Sequence, residues 1–306
     1  MKKLLLLTSF LLVMLALVGC QPKTQLRIIV PAGSPTLAQL YLQEESDKYQ
    51  VDVVNGADPL VAAFTALTPS HDIIFAPTNL GAKLYQSGSN YVFAGTIVWG
   101  NYYFVSTGKS AFEISDLANQ EVVVFGQNQT SDIIIKFLSQ SLNVEMNITY
   151  VDSVANAAAI FMADKTKIVM VAEPSLSNIK AKVSTLQIMD LQTVYQSITN
   201  ESSYPQAGVF VLNTLSKRQV NQFLNDLSDS VRTANEKPDE TGELAETLAI
   251  GFTKEIVASA IPLSHLEFKS ALESKTALET YFNQILSINP ALIGMSLPED
   301  DFYYQP

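Results

Sequence analysis

Residues 26–84 read LRIIVPAGSPTLAQLYLQEESDKYQVDVVNGADPLVAAFTALTPSHDIIFAPTNLGAKL. Three short apolar runs, Leu26–Val30, Val51–Val54 and Asp72–Phe75, are each followed by a turn and then by apolar residues at helical spacing. After the first, Leu37, Leu40, Tyr41 and Leu42 mark a helix over Thr36–Lys48. After the second, Asp58-Pro59 supplies a cap followed by proline at the first helical position, and Leu60, Ala63, Phe64 and Leu67 share one face. After the third, Pro77-Thr78-Asn79 opens a helix through Leu84. Strands this continuously apolar are buried on both faces, so the alternation predicts a mainly parallel sheet covered by helices.

The pattern extends in both directions. Tyr91–Val98 and Tyr102–Ser106 are two further strands, separated by Trp99-Gly100-Asn101. The rhythm then restarts: strand Glu121–Phe125, a polar loop over Gly126–Ser131, and a helix carrying Ile134, Phe137, Leu138 and Leu142. Strand Asn147–Val151, helix Val154–Ala163 and strand Ile168–Val171 follow, the last running into Ala172-Glu173-Pro174. After Tyr204-Pro205-Gln206 comes strand Ala207–Leu212, and the remainder to about Ile288 reads as mainly helical. Two similar α/β halves followed by a helical C-terminal segment are expected.

Upstream, Lys2 and Lys3 precede the apolar run Leu4–Leu17, which is shorter than the roughly 18–20 residues of a spanning helix. It reads as a secretory signal over residues 1–19, ending at Leu17-Val18-Gly19-Cys20 in the manner of a bacterial lipobox. Cys20 is the only cysteine of the chain, and diacylation would account for a lone thiol in an exported protein. Two acyl chains anchor a protein stably to a bilayer, so residues 20–25 become a short lipidated tether and the rest a soluble domain outside the cytoplasm, held at the bacterial cell membrane. Without disulfides that domain relies on its core, for which 47% apolar content over about 285 residues suffices.

The chain has 19 Lys+Arg against 30 Asp+Glu, net −11; removing Lys2 and Lys3 leaves 17 against 30, net −13. Such a surface repels phosphate backbones, which argues against nucleic-acid binding. Catalysis has little support. His71 and His265 are the only histidines, and no nucleophile elbow, zinc-binding HExxH or phosphate-binding loop is present. No catalytic residues, metal ligands or cofactor are therefore assigned.

Several segments together resemble the type II solute-binding proteins of ABC importers, most closely the branch that includes nitrate-, sulfonate- and thiamine-precursor-binding lipoproteins. They are Pro31–Ala38 after the first strand, Phe112–Leu117 with Val122–Gly126 at the entry to the second half, Val171-Ala172-Glu173-Pro174, and Tyr204-Pro205-Gln206-Ala207. The sequence departs from the family at Ala118-Asn119-Gln120, where a glycine is usual. The resemblance implies a two-lobed type II periplasmic-binding-protein-like fold with crossings near Tyr102–Ser106 and Tyr204–Val209. Lobe 1 would comprise 26–105 plus 208–306, and lobe 2 106–207. It also implies a monomeric receptor that captures a small organic solute, vitamin-precursor- or sulfonate-like, between the lobes and delivers it to a membrane permease and ATPase. An enzyme on the same fold, or an adhesive surface lipoprotein, are the alternatives.

Ligands of open α/β sheets gather beyond the carboxyl ends of the strands. That rule selects loops Gly33–Thr36, Ala76–Asn79, Trp99–Tyr102, Gln127–Ser131 and Glu173–Ser175, none of which carries Lys or Arg. Three open helices, whose N–H groups are expected to meet a ligand oxygen. Glu173 would instead favour an amino group, and Trp99 and Tyr102 would offer flat walls. The candidate ligand-binding residues are thus Ser34, Thr36, Thr78, Asn79, Trp99, Asn101, Tyr102, Gln127, Asn128, Thr130, Ser131, Glu173 and Tyr204. For each polar one, a purely structural capping role is the competing reading.

Overall fold

The computed structural model describes residues 25–108 and 112–306. The leader over 1–19, Cys20 and the tether up to residue 24 lie outside the described residues. Among the described residues no helix is long and apolar enough to cross a membrane.

The strands are β1 (Leu26–Pro31), β2 (Tyr49–Val54), β3 (Ile73–Pro77), β4 (Tyr91–Val98), β5 (Tyr102–Ser106), β6 (Glu121–Phe125), β7 (Asn147–Val151), β8 (Ile168–Ala172), β9 (Gln187–Asp190), β10 (Ala207–Leu212) and β11 (Leu266–Ser270). The helices are α1 (Ser34–Ala38), α2 (Asp58–Thr65), α3 (Thr78–Gln86), α4 (Thr130–Leu142), α5 (Val154–Ala163), α6 (Ser175–Lys180), α7 (Leu191–Thr199), α8 (Lys217–Glu236), α9 (Pro238–Thr247), α10 (Lys254–Ala260) and α11 (Ala271–Ile288). They form a two-lobed α/β architecture with two sheets, ordered β11-β4-β10-β3-β1-β2 and β7-β6-β8-β5-β9. In the first, β1 runs parallel to β2 and β3, with Ile28 opposite Val51 and Ile73, while β10 lies antiparallel between β3 and β4. In the second, β6 runs parallel to β7 and β8, and β5 lies antiparallel between β8 and β9.

The membership of β5 differs from the expected division. Tyr102–Ser106 belongs to the second sheet, where Tyr103 faces Val171 and Asp190, so the first crossing is Trp99–Asn101 rather than the strand itself. Gly100 makes that turn with φ +61°, and a Cβ there would stand 2.8 Å from the Tyr204 ring. The second crossing is the segment 200–206 that leads into β10. The helix expected over Thr36–Lys48 is interrupted at Gln39, whose side chain donates to the Thr36 carbonyl (3.1 Å), and continues as a 3-10 turn over Leu40–Glu44. The tail expected to be helical contributes β11, an edge strand antiparallel to β4.

Strand alternation sorts side chains between layers. Ile28, Val30, Ile73 and Phe75 pack with Val220, Phe223 and Leu227 of α8, a capped amphipathic helix (Ser216 and Gln219 form the capping box). On the outer face of the second sheet, Val123, Val169 and Val171 pack with Phe161 of α5 and Leu176 and Ile179 of α6. The remaining faces share one core: Ile74, Phe93 and Phe210 from the first sheet join Phe104, Val122 and Met170 from the second, with Leu278, Tyr281, Phe282 and Ile285 of α11 in the same cluster. Helix α11 therefore braces both lobes. The contact is tight elsewhere in this core too, since a Cβ on Gly81 would stand 2.0 Å from Phe210.

Candidate binding cleft

The carboxyl ends of the strands converge on a cavity of about 280 Å³ between the two sheets. Its floor is a closed polar network. Asn101 donates its backbone N–H to Gln206 Oε1 (2.9 Å) and accepts Gln206 Nε2 on Oδ1 (3.0 Å). Asn101 Nδ2 donates to Ser34 Oγ (2.5 Å), and that hydroxyl donates to the Glu173 carbonyl (3.3 Å). The start of α1, both crossings and the end of β8 are thereby tied together, with all four residues buried. The walls are apolar: Tyr102 and Phe125 meet edge-to-face at 5.7 Å, and Leu60, Ile250 and Phe252 complete them.

Among the described residues, both charged residues of the lining are acidic. Glu173 is 1% exposed and Asp152 stands exposed at the rim. The Glu173 carboxylate accepts the Ser177 backbone N–H and hydroxyl, each at 3.0 Å. Burial nevertheless pushes its pKa up to about 7, against the opposing pull of those two hydrogen bonds and of Lys180. Burial also raises the Tyr102 phenol well above its usual range, so it is neutral and available as a hydrogen-bonding group.

Of the residues expected at a ligand, Ser34, Asn101, Tyr102 and Glu173 line this cavity. The others are placed around it. Thr36 Oγ1 donates to the Pro31 carbonyl (3.0 Å) and Ser131 Oγ to that of Phe125 (2.5 Å), each tying a helix start to the end of the strand before it. Thr78, Asn79 and Thr130 form a buried seam behind the cleft: Thr78 Oγ1 donates to the Pro205 carbonyl (2.6 Å), and Thr130 Oγ1 bonds Asn79 Oδ1 (3.3 Å) and the Gln206 carbonyl (3.4 Å). Gln127 and Asn128 are exposed and outside the lining. Tyr204 is wholly buried, stacked between Tyr102 (6.3 Å) and Tyr281 (5.9 Å), and its hydroxyl has no partner among the described residues. Trp99 lies in a separate shallow pocket with Gln192, Ser203 and His265; its indole N–H donates to the Glu267 carbonyl (2.9 Å) and its ring lies under Lys269.

Sequence reasoning missed Asn55, Gly56, Gln129, Asp152, Ser153 and Phe252 as lining residues. The first two and the pair Asp152-Ser153 follow β2 and β7, so the carboxyl-end rule that selected the other loops covers them as well. Phe252 arrives from the loop between α9 and α10 and carries no local signal.

The helix starts are also less open to an anion than expected. The carboxylate of Asp132, itself fully buried, accepts the Asn128 N–H at 2.8 Å, Tyr150 Oη at 2.6 Å and Lys136 Nζ at 2.8 Å at the start of α4. Ser153 Oγ takes the Asn156 N–H at the start of α5 (3.2 Å). Among the described residues no group of three or more His, Cys, Asp or Glu is arranged to hold a metal.

Comparison with known proteins gives both a family and a fold. The model of the menaquinone biosynthesis family matches residues 103–287. No curated protein matches the chain. Among solved structures, an ABC transporter from Parabacteroides distasonis is 24% identical, covers 92% of this chain and 99% of its own, and superposes with a TM-score of 0.79. The ligand-binding component of an ABC-type import system from Staphylococcus aureus, with zinc bound, is 13% identical over 92% of this chain and 97% of its own (TM-score 0.69). The alkanesulfonate-binding protein SsuA from Xanthomonas axonopodis pv. citri, bound to MOPS, is 16% identical over 92% and 96% (TM-score 0.62). The fold is that of the periplasmic binding proteins, and the chain belongs to the menaquinone biosynthesis family.

Proposed function

We propose that this member of the menaquinone biosynthesis family is the extracytoplasmic solute-binding lipoprotein of an ABC importer, anchored through acylated Cys20 and acting as a monomer. It holds a small organic solute between the lobes and delivers it to a permease driven by an ATPase. The observation that carries this reading is the cavity itself, which draws its lining from both sheets and both crossings and has a floor that is already hydrogen-bonded. A solute touching both lobes favours the arrangement in which both contacts are made, and that arrangement is what a permease would recognise. The sequence leaves a vitamin-precursor-like ring and an organosulfonate as solute classes; the flat walls at Tyr102 and Phe125 suit the ring.

A solute at 100 times its dissociation constant stabilises the folded chain by about 2.7 kcal/mol, a clear thermal shift. A panel of vitamin precursors, sulfonates, amino acids and inorganic anions is expected to yield a saturable hit recovered chemically unchanged. The family's biosynthetic description favours one second reading, an enzyme in the same cleft. Proton NMR of the hit after incubation separates the two: new resonances that grow with time would establish turnover and displace the receptor reading.

A further inference from the structure

We infer that the solute taken by this cleft is a cation, an amine or protonated nitrogen base on a compact apolar body, and not a sulfonate, nitrate or other oxyanion. The inference rests on the receptor reading and adds the charge of the solute to it. Three observations carry it. First, among the described residues the lining contains Asp152 and Glu173 and no Lys, Arg or His, so an anion would meet two carboxylates and no counter-charge there.

Second, the chain's own oxygens already stand at three helix starts beside the cleft, where an anion would otherwise be drawn. Asp132 sits at the start of α4, Ser153 caps α5, and the Glu173 carboxylate takes the Ser177 N–H at α6. Lys136, the cation beside the α4 start, is committed to Asp132 at 2.8 Å. Third, the walls are aromatic and aliphatic, with Tyr102, Phe125 and Phe252 among them. Aromatic faces carry negative electrostatic potential and attract ammonium groups while covering an apolar body. A cation entering this cavity gains carboxylate partners in a desolvated setting, whereas an oxyanion loses its hydration and gains like-charge repulsion.

The test uses the full-length chain in detergent micelles and matched probes that differ only in charge: 2-phenylethylamine, 2-phenylethanol and 2-phenylethanesulfonate, with aliphatic amines, alcohols, sulfonates and carboxylates of similar size. Thermal shift ranks the classes and titration calorimetry gives affinities. Amines are expected to bind at least about tenfold more tightly than the matched alcohols, with sulfonates below both. Glu173→Gln is expected to weaken amines about tenfold, and the exposed Asp152→Asn about threefold, while alcohol binding holds. The second variant keeps the test decisive if the first perturbs α6. A sulfonate or alcohol bound as tightly as the amine, or amine binding indifferent to both variants, overturns the charge assignment and leaves the receptor standing. Absence of stabilisation by every class overturns the receptor reading and this inference with it.

Discussion

Helices α4 and α6 begin in the same lobe, and each begins on a buried carboxylate, yet the two sites are finished differently. At α4 the Asp132 carboxylate has a backbone N–H, a tyrosine hydroxyl and a lysine ammonium as partners. At α6 the Glu173 carboxylate has the Ser177 N–H and hydroxyl and, among the described residues, no ammonium within ion-pair distance. A buried charge is tolerated when it is paired and hydrogen-bonded, and is costly when it is not. The α4 site is thus complete as a structural joint. The α6 site, lining the cavity, has no such positive partner among the described residues, which is the arrangement a cationic solute would complete.

Breaking the α4 joint is expected to have the largest effect. Asp132→Ala strips three donors of their acceptor and should cost about 3–5 kcal/mol of unfolding free energy, read from urea titration. Asp132→Asn, which keeps the shape, should cost less.

The α6 site predicts a pH dependence. The Glu173 pKa is about 7 in the folded chain against an ordinary 4.5, so the folded state binds the proton more tightly than the unfolded state. Its contribution is full below pH 4.5 and is lost as pH rises towards and through 7, amounting to about 3 kcal/mol. Glu173→Gln should flatten the stability profile between pH 5 and 8. A profile of wild type already flat in that window would remove the contrast between the two helix starts.

Smaller effects locate the boundary between floor and rim. Gln206→Ala leaves Asn101 N–H and Oδ1 without partners and should cost about 1–3 kcal/mol in the same titration. Ser153→Ala removes the α5 cap at the rim and should cost about 1 kcal/mol.

The same contrast explains what the sequence discloses. The parallel cores of both sheets were legible because β1, β3, β6 and β8 are largely apolar and are separated by helices; the cap expected at Asp58 was not, since Ala57 takes that position and Asp58 is the first helical residue. The sheet to which Tyr102–Ser106 belongs was not, because β4 and β5 are equally apolar and only pairing with Val171 and Asp190 distinguishes them. Short elements such as β9 and α7, and the edge strand β11, depend on neighbours brought from distant sequence. At the cleft, the loops were legible through the carboxyl-end rule, but individual side chains were not. Thr36, Thr78, Thr130 and Ser131 are polar residues at helix starts, and capping and ligand contact use the same atoms, so only the fold shows that each already has an internal acceptor. Trp99 looked like a cleft wall from sequence and instead turns its ring within the first crossing against Glu267 and Lys269, where its fluorescence would report the joint between lobes rather than the solute.

The most direct test of the interlobe cavity as the solute site is a parallel ligand screen of wild type and Ala155→Trp. Ala155 is exposed and lines the cavity at the start of α5, so the indole fills the cleft without disturbing a core contact. The account predicts an unchanged melting temperature without ligand and loss of the shift produced by every compound that stabilises wild type. Compounds that stabilise the variant as well as the wild type would place the site elsewhere and contradict it.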